Sequence, residues 1–116
     1  HGASEVQQMA AMIRAEQVNA EPYGRHRVFN RNLLYYVQSP HVELPIMRAV
    51  HDFLRSPDRV LCVLREEDVR ALARDGIPFR QLGSIPYLNT GSLTLRMLLD
   101  PDADRYIDQV VLISNH

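Results

Sequence analysis

Lysine is missing from this chain, and all 13 basic side chains are arginine. Arginine suits bidentate contacts with carboxylate or phosphate better than lysine does, but a complete lack of lysine reads first as a bias of codon usage or lineage. Cysteine is almost missing too. Cys62 stands alone, cannot close an intramolecular disulfide, and so excludes a disulfide-stapled fold. No apolar run reaches the ~18 residues of a membrane-spanning helix, and the amino end lacks the basic start and apolar stretch of a signal peptide. The glycines, Gly2, Gly24, Gly76, Gly83 and Gly91, are scattered. Clustered glycines are what let backbone amides approach a phosphate, so neither a dinucleotide fingerprint nor a P-loop is present. A net charge of −1 gives no bulk reason to expect a polyanionic partner, and nucleic acid is not expected.

What is there describes an ordinary folded domain. The 116 residues are 46% hydrophobic and 23% charged, enough for one domain that buries roughly two thirds of its extended-chain surface. His1 and His116 read as the boundaries of a piece excised from something larger.

Val6, Met9, Ala10, Ile13 and Val18 recur near helical spacing from Ala3 to Gln17, with Ser4 as cap and Gln7 three residues on. After the turn-rich "NAEPYG", Arg27-Val28-Phe29 reads as a short strand, and Asn30 caps a helix over 31–38 that Ser39-Pro40 ends. His41 to Leu44 is a second extended piece. Pro45 then opens a helix whose face is Ile46, Met47, Val50, Phe53 and Leu54. "RVLCVL", 59–64, has the continuous apolar character of a strand buried on both faces. Glu66, Glu67 and Asp68 start a helix with the acids its dipole favours, striped by Val69, Leu72 and Ala73 and stopped at Asp75-Gly76. Strands are then expected at 79–89, 92–99 and 106–114, separated by "NTG" and "DPDAD". The fold class expected is α/β: one mixed sheet, with strand-helix alternation through the first two thirds and an antiparallel meander at the end.

Chemistry-bearing patterns are few. Cys62, mid-strand, is expected to be a desolvated thiol and not a nucleophile. His41 with Glu43, and His51 with Asp52, lack a third ligand at metal-site spacing. Glu66-Glu67 and Asp102-Asp104 evoke glycosidase carboxylates, but a helix start and a turn account for them. No catalytic, cofactor-binding or metal-ligating residue is therefore assigned. The least ordinary feature is a basic lead-in, Arg25, His26, Arg27 and Arg31, beside Tyr23, Tyr35 and Tyr36. Arginine with tyrosine often contacts anionic headgroups or carbohydrate rings. Arg25, Arg27, Arg31 and Tyr35 are the candidate contact surface. The plainer expectation is that one of the paired tyrosines packs beside Leu33 and the arginines are solvated.

"NRNLLYYVQSPHVEL" followed by "RVLCVLREEDVRALARDG" resembles the C-terminal soluble domain of bacterial membrane glycosyltransferases of the protein O-mannosyltransferase and aminoarabinose transferase superfamily. In that family a multi-spanning membrane domain is followed by a small extracytoplasmic α/β domain with a Ser-Leu-x-Phe-Tyr-like helix start. Asn32-Leu33-Leu34-Tyr35-Tyr36 would occupy that stretch, with asparagine where serine is expected, and Val60 to Val69 matches the family's apolar strand and acidic helix start. The resemblance runs from about Val18 to Asn115. It implies a non-catalytic part of an enzyme that moves a sugar from a polyprenyl-phosphate donor to a lipid, glycan or protein acceptor outside the cytoplasm. Its partner would be the membrane domain of the same polypeptide, and its location the periplasmic face of the inner membrane. The donor-sugar site and catalytic acids belong to the membrane domain, so none is carried over. Two other readings stay open: a free-standing α/β enzyme or ligand-binding protein with its site at the carboxyl ends of the parallel strands, and a cytoplasmic interaction module.

Overall fold

The unbroken apolar run at 60–64 becomes the middle of a sheet, and its alternating side chains supply two cores. The computed structural model describes residues 4–29, 32–88 and 107–116. Their elements, in order, are α1 (Glu5–Glu16), β1 (Tyr23–Arg25), a single 3-10 turn (Asn32–Tyr35), β2 (His41–Glu43), α2 (Met47–Leu54), β3 (Leu61–Arg65), α3 (Glu66–Arg74), β4 (Arg80–Leu88) and β5 (Ile107–Ser114). They build one α/β domain around a five-stranded mixed sheet of order β2-β1-β3-β5-β4. β1 pairs in parallel with β2 and with β3, whereas β5 runs antiparallel to β3 and to β4.

Each face of the sheet has its own helical layer. Leu61 and Val63 of β3, with Val110 and Leu112 of β5, pack under α1 and the 3-10 turn through Met9, Ile13, Leu33 and Val37. Cys62 and Leu64, with Val111 and Ile113, pack under α2 and α3 through Val50, Leu54, Val69 and Leu72. This is the two-sided burial that a continuous apolar strand demands.

Helix α1 opens with a capping box: the Gln7 amide donates to Ser4 Oγ at 3.3 Å and the Ser4 amide to Gln7 Oε1 at 3.1 Å. Helix α3 carries Glu66, Glu67 and Asp68 in its first turn, complementing the dipole. The β3 and β4–β5 expectations are met within a residue or two.

Three elements differ. The first strand is Tyr23–Arg25 and not 27–29; residues 26–29 form instead a tight connection in which Arg27 (φ 59°) and Phe29 (φ 57°) both take left-handed backbone, which costs a side-chain-bearing residue about 1 to 2 kcal/mol each. The helix expected over 31–38 is one 3-10 turn, Asn32–Tyr35. Helix α2 begins at Met47 with Ile46 as its cap residue, so Pro45 precedes the helix and does not open it. The strand expected at 92–99, the cap Asn30 and the candidate contact residue Arg31 lie outside the described residues.

Candidate functional site

Chain direction places β1 at the point where the sheet order reverses. From β1 the chain passes to β2 on one side, then crosses to β3 on the other, and the carboxyl ends of strands at such a point are where open α/β sheets bind ligands. Two side-chain clusters and one surface turn are built around this point.

Arg25 closes β1. Its side chain is only 4% exposed and is fully engaged. Nη1 donates to the Val28 carbonyl at 3.0 Å, Nε to His41 Nε2 at 3.3 Å, and Nη2 lies 3.3 Å from Glu43 Oε1. Parallel register puts these groups side by side, Tyr23 opposite His41 and Arg25 opposite Glu43. The bond to Val28 reaches across the left-handed residue Arg27 and fastens the 26–29 connection. Because His41 Nε2 accepts a hydrogen bond from Arg25 Nε, that nitrogen carries no proton and the ring is neutral; burial first, then the Arg25 charge, hold its pKa below the ordinary value, against the opposing pull of Glu43. The Tyr23 ring meets the His41 ring at 5.1 Å. Burial raises the Tyr23 hydroxyl pKa, with Arg25 opposing, and that hydroxyl has no hydrogen-bond partner among the described residues.

His26 follows immediately and faces the other layer. Its Nδ1 lies 2.6 Å from the Leu44 carbonyl; a carbonyl only accepts, so Nδ1 carries the proton in that bond. Nε2 faces Asp68 Oδ2 of α3 at 3.8 Å, too far for a hydrogen bond. Beyond it, at the end of β3, Arg65, Glu66, Glu67, Arg70, Asp108 and Gln109 line a polar cleft of about 200 Å³. Its charges largely answer one another, Arg70 with Glu66 at 3.1 Å and Arg65 with Glu67 at 3.5 Å. A nucleotide-sized ligand calls for roughly 300 Å³ or more with a few converging polar groups in an apolar lining, so this cleft does not favour the free-standing nucleotide-binding reading. Among the described residues no group of three or more His, Cys, Asp or Glu is placed to hold a metal ion.

The connection then delivers the chain into the 3-10 turn, where the Asn32 amide donates to the Phe29 carbonyl at 2.9 Å. Phe29 is itself anchored edge-on against Tyr87 at 5.5 Å. Leu33 is fully buried and Val37 nearly so, yet the three residues between them face outward: Leu34 is 44% exposed, Tyr35 81% and Tyr36 39%. Arg14 of α1 donates to the Tyr36 carbonyl at 2.6 Å and holds the turn from below. Among the described residues every strongly exposed large apolar side chain except Val18 falls in the sequence interval from Leu34 to Ile46.

Of the sequence candidates, Arg25 is therefore a buried clamp and not a solvated contact, Arg27 and Tyr35 are exposed, and Arg31 is outside the described residues. Among the described residues the buried tyrosine is Tyr23, whereas Tyr35 and Tyr36 on either side of the turn's end are exposed and not packed into the core with Leu33. The His26–Asp68 approach went unanticipated, since its partners are 42 positions apart in the chain with no motif between them. Cys62 is buried, and burial, with the Asp68 charge adding to it, pushes its thiol up to about 12, so it is inert as a nucleophile. A comparison of the chain with family models, with curated proteins and with solved structures finds no match in any of the three.

Proposed function

We propose that this chain is the non-catalytic, extracytoplasmic domain of a bacterial membrane glycosyltransferase that uses a polyprenyl-phosphate sugar, and that it works by docking beside the catalytic membrane part. The observation that carries this reading is the coincidence of two independent features. The stretch that resembles the family, Asn32 to Leu44, is also the stretch where large apolar side chains are held out of the core, with Leu33 buried as their anchor. A docking element needs that combination, because a backbone already fixed before contact loses little entropy on binding. Buried Arg25, whose bond to Val28 fixes the approach to the turn, is a positioning residue in this scheme, and Tyr35 and Arg27 are contact residues. Polyprenyl-phosphate sugar and acceptor glycan are ligands of the complete enzyme.

The test is transfer activity of the complete enzyme in membranes. Replacing Leu34, Tyr35 and Tyr36 together by serine is expected to lower sugar transfer while leaving the thermal unfolding of the isolated 116-residue chain close to that of the parent. Unchanged transfer would refute the docking role. Substituting Arg27 tests the basic component cleanly; substituting Arg25 does not, because it also releases the 26–29 connection.

A second reading has one observation in its favour. Among the described residues β2 is an edge strand that carries exposed Val42 and is followed by exposed Ile46, and an open edge can accept a strand from another protein. With only His41–Glu43 in the strand, that edge offers few backbone bonds.

A further inference from the structure

We propose that the 3-10 turn seats the domain on an anionic lipid surface, with Leu34, Tyr35 and Tyr36 entering the headgroup boundary and Arg14 and Arg27 facing lipid phosphates. The inference rests on the membrane-side placement proposed above and names what the turn touches there.

Charge around the turn is one-sided. Between Glu21 and Glu43 the sequence contains no acidic residue, while Arg27 and Arg31 fall in that interval beside Arg25, whose charge Glu43 answers, in a chain whose net charge is −1. The two flanking acids are neutralised internally, Glu21 by Arg59 at 2.6 Å and Glu43 by Arg25 at 3.3 Å. Arg14 and Arg27 are exposed and form no ion pair among the described residues. Arg14 nevertheless touches the turn itself through the Tyr36 carbonyl, which keeps a positive charge beside the aromatic side chains.

The composition of the tip fits a bilayer boundary. Leucine supplies apolar area, and tyrosines place an apolar ring below a polar hydroxyl, the arrangement that enriches them at membrane interfaces. Size makes lipid the direct contact of these three side chains, which seats the domain beside the catalytic membrane part without a protein interface of their own. A stable protein interface asks for roughly 800 Å² from each side, whereas a side chain as large as tyrosine offers at most about 150–250 Å² and two of these three are more than half covered already. A bilayer accepts a small apolar wedge because neighbouring basic groups add electrostatic attraction to the burial. No helix among the described residues is long and apolar enough to cross a membrane, so the contact proposed lies in the interface.

The chain has no tryptophan, which makes an introduced one a clean reporter. The probe is a suspension of vesicles of phosphatidylglycerol and phosphatidylcholine, with vesicles of phosphatidylcholine alone as the comparison. Tryptophan emission from Tyr35→Trp is expected to shift to shorter wavelength with the mixed vesicles, and the shift to disappear at high salt. Ile46→Trp replaces another exposed apolar residue, 61% accessible against 81% for Tyr35, at the start of α2 in the layer on the opposite side of the sheet, and is expected to show no shift. Arg27→Gln is expected to weaken partitioning about fivefold. Co-sedimentation of the unsubstituted chain with the same vesicles guards against a misfolded variant. The proposal is overturned if neither the shift nor sedimentation occurs, if phosphatidylcholine alone works as well, or if position 46 responds like position 35. Any of these results would leave the transferase reading to be judged on where the native protein resides.

Discussion

Arg25→Met removes a guanidinium and keeps most of an unbranched apolar stem, so it isolates what the charge does at the end of β1. The parent group makes three contacts: to Val28 O at 3.0 Å, to His41 Nε2 at 3.3 Å and to Glu43 at 3.3 Å. Glu43 is 64% exposed and rehydrates when abandoned, so that pair is worth under ~1 kcal/mol. The Val28 bond differs: Val28 is 3% exposed, and loss of a hydrogen bond from a charged donor costs about 1.5 to 3 kcal/mol. Methionine also avoids the desolvation penalty of a buried cation, which offsets part of the loss. The net expectation is about 2 kcal/mol of destabilisation, a sizeable share of the ~5 to 15 kcal/mol of a typical domain. Equilibrium urea unfolding should show it as a lower midpoint at unchanged slope. Two local signatures should accompany it. The amides of residues 27–29 should exchange faster, since the left-handed pair Arg27 and Phe29 loses its tether. His41, released from the Arg25 charge, should titrate at higher pH, although burial still holds it down. A loss below ~0.5 kcal/mol, or unchanged exchange at 27–29, would refute the clamp.

Glu21 sets an acid limit. Burial alone would raise its carboxyl, but the amides of Asn19 and Val18, both at 2.8 Å, and Arg59 Nη1 at 2.6 Å bring it down from 4.5 to about 2. A depressed folded-state value contributes stability that is full above the unfolded pKa and is lost as pH falls from about 5 towards 2. The shift corresponds to ~3 kcal/mol, and screening at the rim of the domain brings it nearer ~2 kcal/mol; Glu21→Gln should lower stability at neutral pH by that amount and flatten the acid limb of a stability-against-pH curve, and a retained limb would show that other carboxylates cause it. The two strand glycines should part company. A Cβ at Gly24 would lie 2.5 Å from Leu44 Cδ1 and 2.9 Å from the Phe53 ring, whereas one at Gly83 meets only the flexible end of Met12. Gly24→Ala should cost about 1 to 3 kcal/mol and Gly83→Ala much less in parallel thermal melts; equal effects would mean that the packing over Gly24 is loose.

How far the fold could be read in advance depended on whether local chemistry and tertiary packing agreed. They agree at α1, where Ser4 and Gln7 form the capping box their spacing suggests, at β3, where every residue from Val60 to Leu64 is buried, and at α3, with its acidic first turn. They disagree at β1. Tyr23-Gly24-Arg25 has neither the apolar run nor the β-branched residues of a strand; it is one because Leu44 and Phe53 need the space that Gly24 leaves and because His41, Glu43 and Val28 satisfy a buried arginine. Val28-Phe29 looked more strand-like, yet both residues serve the core from a bent connection. Hydrophobicity alone would send one of the paired tyrosines inward; the single 3-10 turn buries only Leu33. Basic residues clustered in sequence also part in space, Arg25 and His26 turning to opposite layers of the sheet, because adjacent residues of an extended chain point opposite ways.

The most direct measurement on the central claim is the size and location of the native product. An antibody raised to the 116-residue chain, used on fractionated cells of the native host, is expected to detect a band far larger than 13.3 kDa in the membrane fraction. A soluble band near 13.3 kDa would contradict the assignment to a membrane glycosyltransferase.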